Sequence, residues 1–237
     1  MAKIEIEQFH GINILGGINT HPGSGTAVQH EEEYDIFQQV LSYVENKDNP
    51  VMIEVGSNWA LWSLCFRHKF PTGKNILIEL GKRQLLVGIK NFDLNGFSQQ
   101  HYWGGVFLDD SGTFCNREND LEYEKIEGEY FDDSIGGDIV GPQLDFTDIW
   151  SKEELDTVDI LHMDIQGSEL PLMHQLRESN LLSSVRTVVI ATHSKSIHAD
   201  IKNILLENGY SLTRESDYGT VGGDGMICAT RNDGKRQ

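Results

Sequence analysis

The segment 158–169 constrains the fold of this chain more than any other feature. Its apolar run ends at Asp164, turns at Gly167 and continues with Ser168 at the position of a helix N-cap. A buried strand followed by a helix is therefore predicted. In an open α/β sheet, ligands bind in the crevice outside the carboxyl ends of parallel strands. Asp164 is thus predicted to face an active site, with simple capping of the helix as the alternative.

Two earlier segments repeat this arrangement of an apolar strand that ends in a polar turn. Residues 51–58 form the first, with Gly56 in the turn, and the amphipathic stretch 60–70 follows as a predicted helix. Residues 75–79 form the second and end at Glu79. This acid lies close to the roughly 20-residue offset from a glycine turn at which a carboxylate binds a ribose hydroxyl. Three predicted strand ends therefore carry groups that can bind a ligand.

Alternating strands and helices over the rest of the chain predict a doubly wound α/β sheet. After residue 209, two strands linked by a turn at 218–225 leave no room for a crossover helix, so the final pair is expected to be antiparallel. The expected architecture is a mostly parallel sheet with a final antiparallel strand, reversed at the edge of the sheet.

Length and local composition favour one main domain with two additions. At 237 residues the chain can fill one core, because single cores stop growing at roughly 250–300 residues. Residues 1–47 are predicted to form an N-terminal extension with a helix that packs on the core, and residues 48–237 the main domain. The stretch 108–143 is rich in acids and is interpreted as an inserted hairpin or loop with a solvated face.

The charge of the chain disfavours some partners. Its formal net charge of −18 at pH 7 would repel nucleic-acid phosphates and anionic membrane surfaces. The cysteines Cys65, Cys115 and Cys228 are far apart and form no C-x-x-C pair, as expected of reduced thiols. No apolar run has the length of a signal peptide or a membrane span. We therefore expect a cytoplasmic protein that acts on neither nucleic acid nor membrane.

Five motifs resemble the successive motifs of the FkbM-type methyltransferases, over roughly residues 50–230. They are the turn 54–58, Glu79, the pair 144–145, the segment 158–169 and the segment 208–210. The chain departs from the family pattern at Ala60, where glycine is usual, at the bulky Trp59, and at His162, which replaces a basic residue. The resemblance implies a class I, Rossmann-like methyltransferase fold and an enzyme that takes its methyl group from S-adenosylmethionine.

The resemblance also implies roles for individual residues. The methionine carboxylate of the cofactor would approach the Gly56 backbone and the N–H groups that open the following helix. Glu79 would accept hydrogen bonds from the ribose hydroxyls. Gly105 and Val106 would lie beside adenine, and Asp164 near the sulfonium or the acceptor oxygen. The residues assigned to the cofactor are Glu54, Gly56, Ser57, Asn58, Glu79, Gly105, Val106 and Asp164.

Transfer to a hydroxyl requires a base that removes the hydroxyl proton or a metal that makes it more acidic. Asp164 ends one predicted strand and His193 ends the next, so the two should meet at one edge of the sheet. His198, at the start of the following helix, is a weaker candidate. We predict Asp164 and His193 as the catalytic residues. If a divalent cation such as Mg²⁺ is used, we predict the same two residues as its ligands.

The sequence therefore predicts an S-adenosylmethionine-dependent O-methyltransferase that acts on a hydroxyl of a sugar, a glycan or another small polar metabolite. Two alternatives remain open. An NAD-dependent oxidoreductase would also use a glycine turn and Glu79, although residues 56–60 match G-x-G-x-x-G poorly. A non-catalytic binding protein can share the same fold. The sequence does not indicate an oligomeric state.

Overall fold

A computed structural model describes residues 6–16, 31–45, 47–106, 142–221 and 224–232. The predicted acidic insertion lies outside these residues apart from Pro142 and Gln143, and so do residues 17–30 of the extension. The strands are β1 (Ile6–Phe9), β2 (Ile12–Leu15), β3 (Val51–Val55), β4 (Lys74–Glu79), β5 (Gln100–Trp103), β6 (Val158–Met163), β7 (Val185–Thr192), β8 (Tyr210–Val221) and β9 (Asp224–Arg231). The α-helices are α1 (Glu31–Leu41), α2 (Leu61–Lys69), α3 (Lys82–Leu94), α4 (Phe146–Lys152), α5 (Glu169–Glu178) and α6 (Lys195–Glu207), and a 3-10 helix spans Leu181–Ser184.

Seven strands form one sheet in the order β5-β4-β3-β6-β7-β9-β8. The first five in this order pair in parallel. The last strand of the chain, β9, runs antiparallel between β7 and β8. The mostly parallel, doubly wound sheet with a final antiparallel strand is therefore confirmed. The reversed strand lies one place inside the edge, because β9 inserts between β7 and β8.

The path of the chain places a crevice at the carboxyl ends of β3 and β6. The chain moves outward from β3 to β4 and β5, and then returns to β6 on the other side of β3. A doubly wound sheet opens at such a reversal, because the helices that follow the two central strands lie on opposite faces. The residues that follow β3, β4, β6 and β7 thus share one edge of the sheet.

Apolar side chains cover both faces of the sheet. One hydrophobic cluster joins the hairpin β1–β2 and the helices α1, α2 and α3 to Met52 and Ile160. The other joins α4, α5 and α6 to Ile53 and Leu161. Successive residues of a strand point to opposite faces, which is why Met52 and Ile53 fall in different clusters. Burial on both faces is what a parallel sheet requires.

The N-terminal residues form a hairpin that the sequence did not predict. β1 and β2 pair antiparallel, and both pack in the cluster that contains α1. The N–H groups of Asn13 and Leu15 donate to the side chains of Asn95 and Asn91, each at 2.9 Å, which ties the hairpin to α3. Strands of four residues give only a weak periodic signal in a sequence, and the glycines nearby favoured an irregular segment.

The antiparallel pair at the carboxyl end is longer than predicted. The turn expected at 218–225 is strand on both sides, and β8 continues to Val221. The pairing shifts register between Leu212 and Arg214 and again between Ser216 and Val221. β8 is the edge strand, and its residues 214–219 include the exposed polar side chains of Glu215, Asp217 and Tyr218. This polarity made the strand resemble a turn in the sequence.

Candidate active site

The turn after β3 requires glycine at Gly56. Its φ is 77°, in the left-handed region, and its N–H donates to the carbonyl of Ile78 at 2.9 Å. A Cβ on Gly56 would lie 1.8 Å from the carbonyl oxygen of Asp164, which follows β6. The family resemblance implied that glycine is needed here so that a cofactor carboxylate can approach. The contact between the ends of β3 and β6 is a second reason for glycine at this position, and it lies within the protein itself.

Glu79 lies at the end of β4 and holds the turn after β3. Its carboxylate accepts hydrogen bonds from the N–H groups of Asn58 and Gly81, each at 2.7 Å. Burial raises the pKa of Glu79 above its ordinary value, although these two donors oppose the increase. A carboxylate has about four acceptor sites, so sites remain for two ribose hydroxyls. The position of Glu79 therefore fits the predicted role.

Two further residues of this turn have left-handed backbone. Asn58 has φ of 45° and Ala60 has φ of 64°. Such backbone costs a residue other than glycine roughly 1–2 kcal/mol. Ala60 is the N-cap of α2, and its conformation is the one that a glycine would adopt without strain. Strained backbone of this kind clusters at ligand sites, in agreement with a binding turn.

Ser57 and Glu54 are buried beneath the same turn. Among the described residues, the Ser57 hydroxyl has no hydrogen-bond partner, so it is free to bond a ligand. Glu54 is 1% exposed and accepts a hydrogen bond from the N–H of Ser63 at 3.1 Å. Burial raises the pKa of Glu54 to about 8. Glu54, predicted as a cofactor-binding residue, is therefore placed to hold the first turn of α2.

Gly105 and Val106 begin two residues beyond the end of β5. The N–H of Gly105 donates to the carbonyl of Pro142 at 3.0 Å, and its carbonyl accepts from the N–H of Leu144 at 2.8 Å. The Val106 side chain is buried in the core. An adenine at the predicted position would therefore contact the backbone of this pair and not the Val106 side chain.

The ends of β6 and β7 bring Asp164 and His193 together. His193 Nε2 lies 3.3 Å from Asp164 Oδ1. On the other side of the ring, His193 Nδ1 lies 2.8 Å from Glu169 Oε1. β6 and β7 are parallel neighbours, so the residues that follow them emerge at the same edge. The imidazole is thus held between two carboxylates.

Glu169 belongs to this site although the sequence did not single it out. It is the first residue of α5 and is 0% exposed. Its carboxylate also accepts hydrogen bonds from the N–H groups of Ile165 and Gly167, both at 3.0 Å. Glu169 therefore fixes the loop that carries Asp164 and orients the His193 ring. The sequence feature that could have identified Glu169 is its position as an acid in the first turn of a helix that follows a glycine loop.

The two carboxylates set the charge of His193. Burial alone would lower the pKa of His193, but its interactions with Asp164 and Glu169 raise that pKa to about 10. Burial would also raise the pKa of Asp164, but His193 outweighs this effect and holds that pKa below its ordinary value. At neutral pH the imidazole is therefore cationic and Asp164 is ionised. Of the two predicted catalytic residues, Asp164 is the one ready to accept a proton.

A crevice that is open to solvent lies beside this cluster. Asp224 at the start of β9 lines it, and Asp224 Oδ2 lies 3.6 Å from His193 Nε2. No sequence signal pointed to Asp224, because its position depends on the pairing of Thr192 in β7 with Gly225 in β9. The residues that line the crevice are Ile36, Phe37, Trp62, His162, Asp164, Val189, Ala191, Asp224, Gly225 and Met226.

The other two histidines near the site are buried. His198 Nδ1 lies 2.8 Å from Thr192 Oγ1, and its Nε2 lies 3.2 Å from Glu215 Oε1. His198 joins α6 to β7 and β8 and is not among the residues that line the crevice. His162, interpreted from the sequence as a core residue, is buried at the floor of the crevice with its ring edge-on to Phe37.

The cluster around His193 offers ligands that suit a divalent cation. Asp164, Glu169 and His193 each provide a ligand atom, and these atoms lie within 4.8 Å of one another. Both Glu169 oxygens already accept backbone hydrogen bonds. A cation would therefore use Asp164 and His193 Nε2, with Asp224 beside them. Carboxylate oxygens with one imidazole fit Mg²⁺ or Mn²⁺.

Comparisons with known proteins agree with this architecture. The model of the methyltransferase FkbM domain family matches residues 54–212. Methyltransferase sdnD from Sordaria araneosa is 25% identical over 215 residues, which cover 78% of this chain and 83% of that protein. The METTL16 MTase domain has a TM-score of 0.53 at 12% identity, covering 84% of this chain and 66% of that one. WbdD in a co-crystal with a kinase inhibitor has a TM-score of 0.54 at 10% identity, covering 86% and 41%.

The two structural matches bear on the fold alone, because their identities to this chain are low. They support the class I, Rossmann-like methyltransferase fold that the resemblance implied. The family match covers the turn after β3, the end of β4 and the ends of β6 and β7. It therefore includes Gly56, Glu79, Asp164 and His193.

Proposed function

Because the chain belongs to the FkbM methyltransferase domain family and is an S-adenosylmethionine-dependent methyltransferase, we propose that it methylates a hydroxyl of a sugar or another small polar acceptor. Family membership favours the methyltransferase over the two alternatives that the sequence left open, the NAD-dependent oxidoreductase and the non-catalytic binding protein. The identity of the acceptor rests on the chemistry of the crevice.

The position of Asp164 carries this proposal. Its backbone carbonyl packs against the Gly56 turn, where the cofactor is expected. Its carboxylate lines the crevice and pairs with His193. Asp164 therefore connects the place of the methyl donor to the place of the acceptor. A carboxylate between the two is suited to accept a hydroxyl proton during transfer.

We assign the cofactor to the turn after β3 and to Glu79. The buried hydroxyl of Ser57 has no hydrogen-bond partner among the described residues, and Glu79 retains free acceptor sites. Gly56 and Asn58 hold the backbone of this turn in the left-handed region, and α2 begins shortly after them at Leu61. The N–H groups at the start of a helix favour an anion such as the methionine carboxylate.

S-adenosylmethionine supplies an electrophilic methyl group. Asp164 accepts a hydrogen bond from the acceptor hydroxyl and takes its proton as the new carbon–oxygen bond forms and the carbon–sulfur bond breaks. The hydroxyl proton becomes strongly acidic as the oxygen gains the methyl group. The Asp164 carboxylate is therefore a sufficient base despite its low pKa. His193, oriented by Glu169, keeps Asp164 ionised and in place. Alignment contributes the rest, with effective molarities that reach ~10⁵–10⁸ M in well-oriented reactions.

A divalent cation at His193 is a second proposal for the same place. His193 Nε2 is buried without a hydrogen-bond partner among the described residues, yet it lies 3.3 Å from Asp164 and 3.6 Å from Asp224. A cation bound there would take the place of the imidazole proton. Chelation should then abolish turnover and leave the affinity for S-adenosylmethionine unchanged. Full activity after treatment with EDTA would contradict a role for the cation.

We propose a small-molecule or glycan acceptor, and neither nucleic acid nor membrane. The net charge of −18 supports this choice, because phosphate backbones would be repelled. Within the part of the chain that the structure describes, none of the helices has the length and apolar character needed to span a bilayer. A cytoplasmic location stays a prediction from the sequence.

Transfer of labelled methyl groups from S-adenosylmethionine tests the proposal. A panel of hydroxylated sugars and metabolites should include the amine and thiol counterpart of each compound. We expect label in methyl ethers of the hydroxyl compounds. Asp164→Asn should slow single-turnover transfer by roughly 10²–10⁴-fold, the range for loss of a general base. The exposed Asp148→Asn is the matched control and should keep the rate, whereas transfer to amines or thiols alone would contradict the proposal.

A further inference from the structure

The crevice beside Asp164 has a floor that is apolar apart from His162 and a mouth that carries two carboxylates. Phe37 and Val189 at its floor are 2% and 3% exposed. The side chains of Asp164 and Asp224 at its mouth are 43% and 40% exposed. Trp62 also lines the crevice and is partly buried, with its ring centroid 5.5 Å from that of Phe37. A wall of this kind suits a ring with one apolar face and with hydroxyl groups at its rim.

Much of the crevice comes from segments outside the part of the chain that the family model matches. Ile36 and Phe37 belong to α1, and Asp224 and Met226 belong to β9, whereas the match covers residues 54–212. The proposed cofactor residues all lie inside the match. The proposed cofactor site is therefore built from the shared domain, whereas much of the crevice is built from the flanking elements α1 and β9. Acceptor specificity is expected in such flanking elements.

The charges at the mouth disfavour an anionic acceptor. Asp164, Asp224 and Glu169 surround the imidazole of His193, and the buried imidazole of His162 also lines the crevice. Among the described residues that line the crevice, none is a lysine or an arginine. A carboxylate or phosphate on the acceptor would therefore meet ionised groups of its own sign, in a partly buried place where salt screens them weakly.

We propose that this crevice is the acceptor site and that it selects uncharged or cationic hydroxylated rings over anionic ones, an inference that rests on the proposed function. Asp224 determines this selection, because it faces the acceptor at the mouth and repels an anion. Trp62 provides the surface on which the apolar face of the ring packs. Asp164 and Asp224 accept hydrogen bonds from hydroxyl groups at the rim.

Matched acceptors test the selection. The probes are the methyl glycosides of glucose, galactose and mannose, each with its uronic acid and its 6-phosphate, and with labelled S-adenosylmethionine in excess. We expect kcat/KM for the uncharged member of a methylated set to exceed that of its acidic partners at least about tenfold, because juxtaposed like charges cost several kcal/mol. Asp224→Asn should reduce this ratio by raising methylation of the acidic members. The exposed Asp200→Asn is the matched control and should leave the ratio unchanged.

The ring surface has a test of its own. Trp62→Leu should raise KM for the uncharged acceptor and leave kcat nearly unchanged, since packing on the ring contributes to binding before and during transfer alike. Tyr43→Leu replaces an aromatic residue that does not line the crevice and should change neither value. Circular dichroism of each variant verifies that it is folded.

The outcomes separate the inference from the proposed function. Equal methylation of uncharged and acidic partners, or a ratio that Asp224→Asn does not change, would overturn the inference alone. An unchanged KM in folded Trp62→Leu would remove Trp62 from the acceptor site. If neither this panel nor the wider hydroxyl panel accepts a methyl group, the proposed function is overturned and the inference with it.

Discussion

The two sides of the crevice are built from different parts of the chain. On the cofactor side, the turn 56–60 acts mainly through its backbone, and Glu79 holds this turn by the hydrogen bond that it accepts from the N–H of Asn58. On the acceptor side, side chains converge from the ends of β6, β7 and β9 around His193. The first arrangement depends on conformation and the second on charge. Glycine substitution should therefore cost more stability on the cofactor side, and removal of a carboxylate on the acceptor side should change the protonation of His193.

The largest effect on stability should come from the backbone of the cofactor side. Gly56→Ala would place a Cβ 1.8 Å from the carbonyl oxygen of Asp164 at a φ of 77°, so the two strand ends must separate. We expect the free energy of unfolding to fall by roughly 2–5 kcal/mol, the sum of left-handed strain and overpacking. Urea denaturation measures the change.

Gly167→Ala is the matched substitution on the acceptor side. Gly167 also has positive φ, at 107°, but a Cβ there would meet nothing within 4 Å. We expect a cost of about 1–2 kcal/mol from strain alone. Equal losses of unfolding free energy in the two variants would show that the contact between the ends of β3 and β6 is not the reason that glycine is required at position 56.

The next largest effect should follow from Glu169→Gln. An amide cannot accept hydrogen bonds on both terminal atoms, so one backbone N–H would lose its partner. His193 would also lose the negative charge that now lies beside its Nδ1. We expect a loss of roughly 1.5–3 kcal/mol in unfolding free energy. The pKa of His193 should also fall below about 10, which NMR titration of the ring measures. Glu178→Gln, exposed at the end of the same helix, should change neither, and an unchanged His193 pKa in Glu169→Gln would contradict the assigned role.

The smallest loss of stability should come from Glu54→Gln at low pH, and the substitution should also change how stability varies with pH. Because the pKa of Glu54 is raised to about 8, the folded protein keeps a proton that the unfolded chain releases above its ordinary pKa. Unfolding then releases a proton between these two values, so stability should decline as pH rises from 5 to 8.

Removal of the Glu54 carboxyl should flatten this decline of the unfolding free energy with pH. The contribution of one carboxyl to the slope is at most about 1.4 kcal/mol per pH unit. At about pH 4, where the folded and unfolded states both keep the proton, the substitution should cost less than about 1 kcal/mol, because the protonated acid and the amide have similar shapes and both accept from the N–H of Ser63. Denaturation series at several pH values measure the slope. Parallel pH profiles for the wild type and Glu54→Gln would show that Glu54 is ionised in the folded protein.

The same contrast explains what the sequence could predict. Gly56 and Glu79 lie at the ends of strands within short motifs, so local patterns located them. The meeting of Asp164 and His193 followed from the adjacency of two parallel strands. Asp224 could not be found in this way, because antiparallel pairing over a long hairpin brings it to the site. The crevice wall from α1 likewise depends on how a flanking helix packs, which no local pattern specifies.

We infer that the two sides of the crevice are separable, with the cofactor bound at Glu79 and the acceptor selected at Asp224. Isothermal titration of S-adenosylmethionine into the wild type, Glu79→Ala and Asp224→Asn tests it most directly. We predict that Glu79→Ala loses roughly 1.5–3 kcal/mol of binding free energy, the scale of hydrogen bonds to a charged group, while Asp224→Asn keeps the wild-type affinity. Unchanged affinity in folded Glu79→Ala, or an equal loss in both variants, would contradict the account.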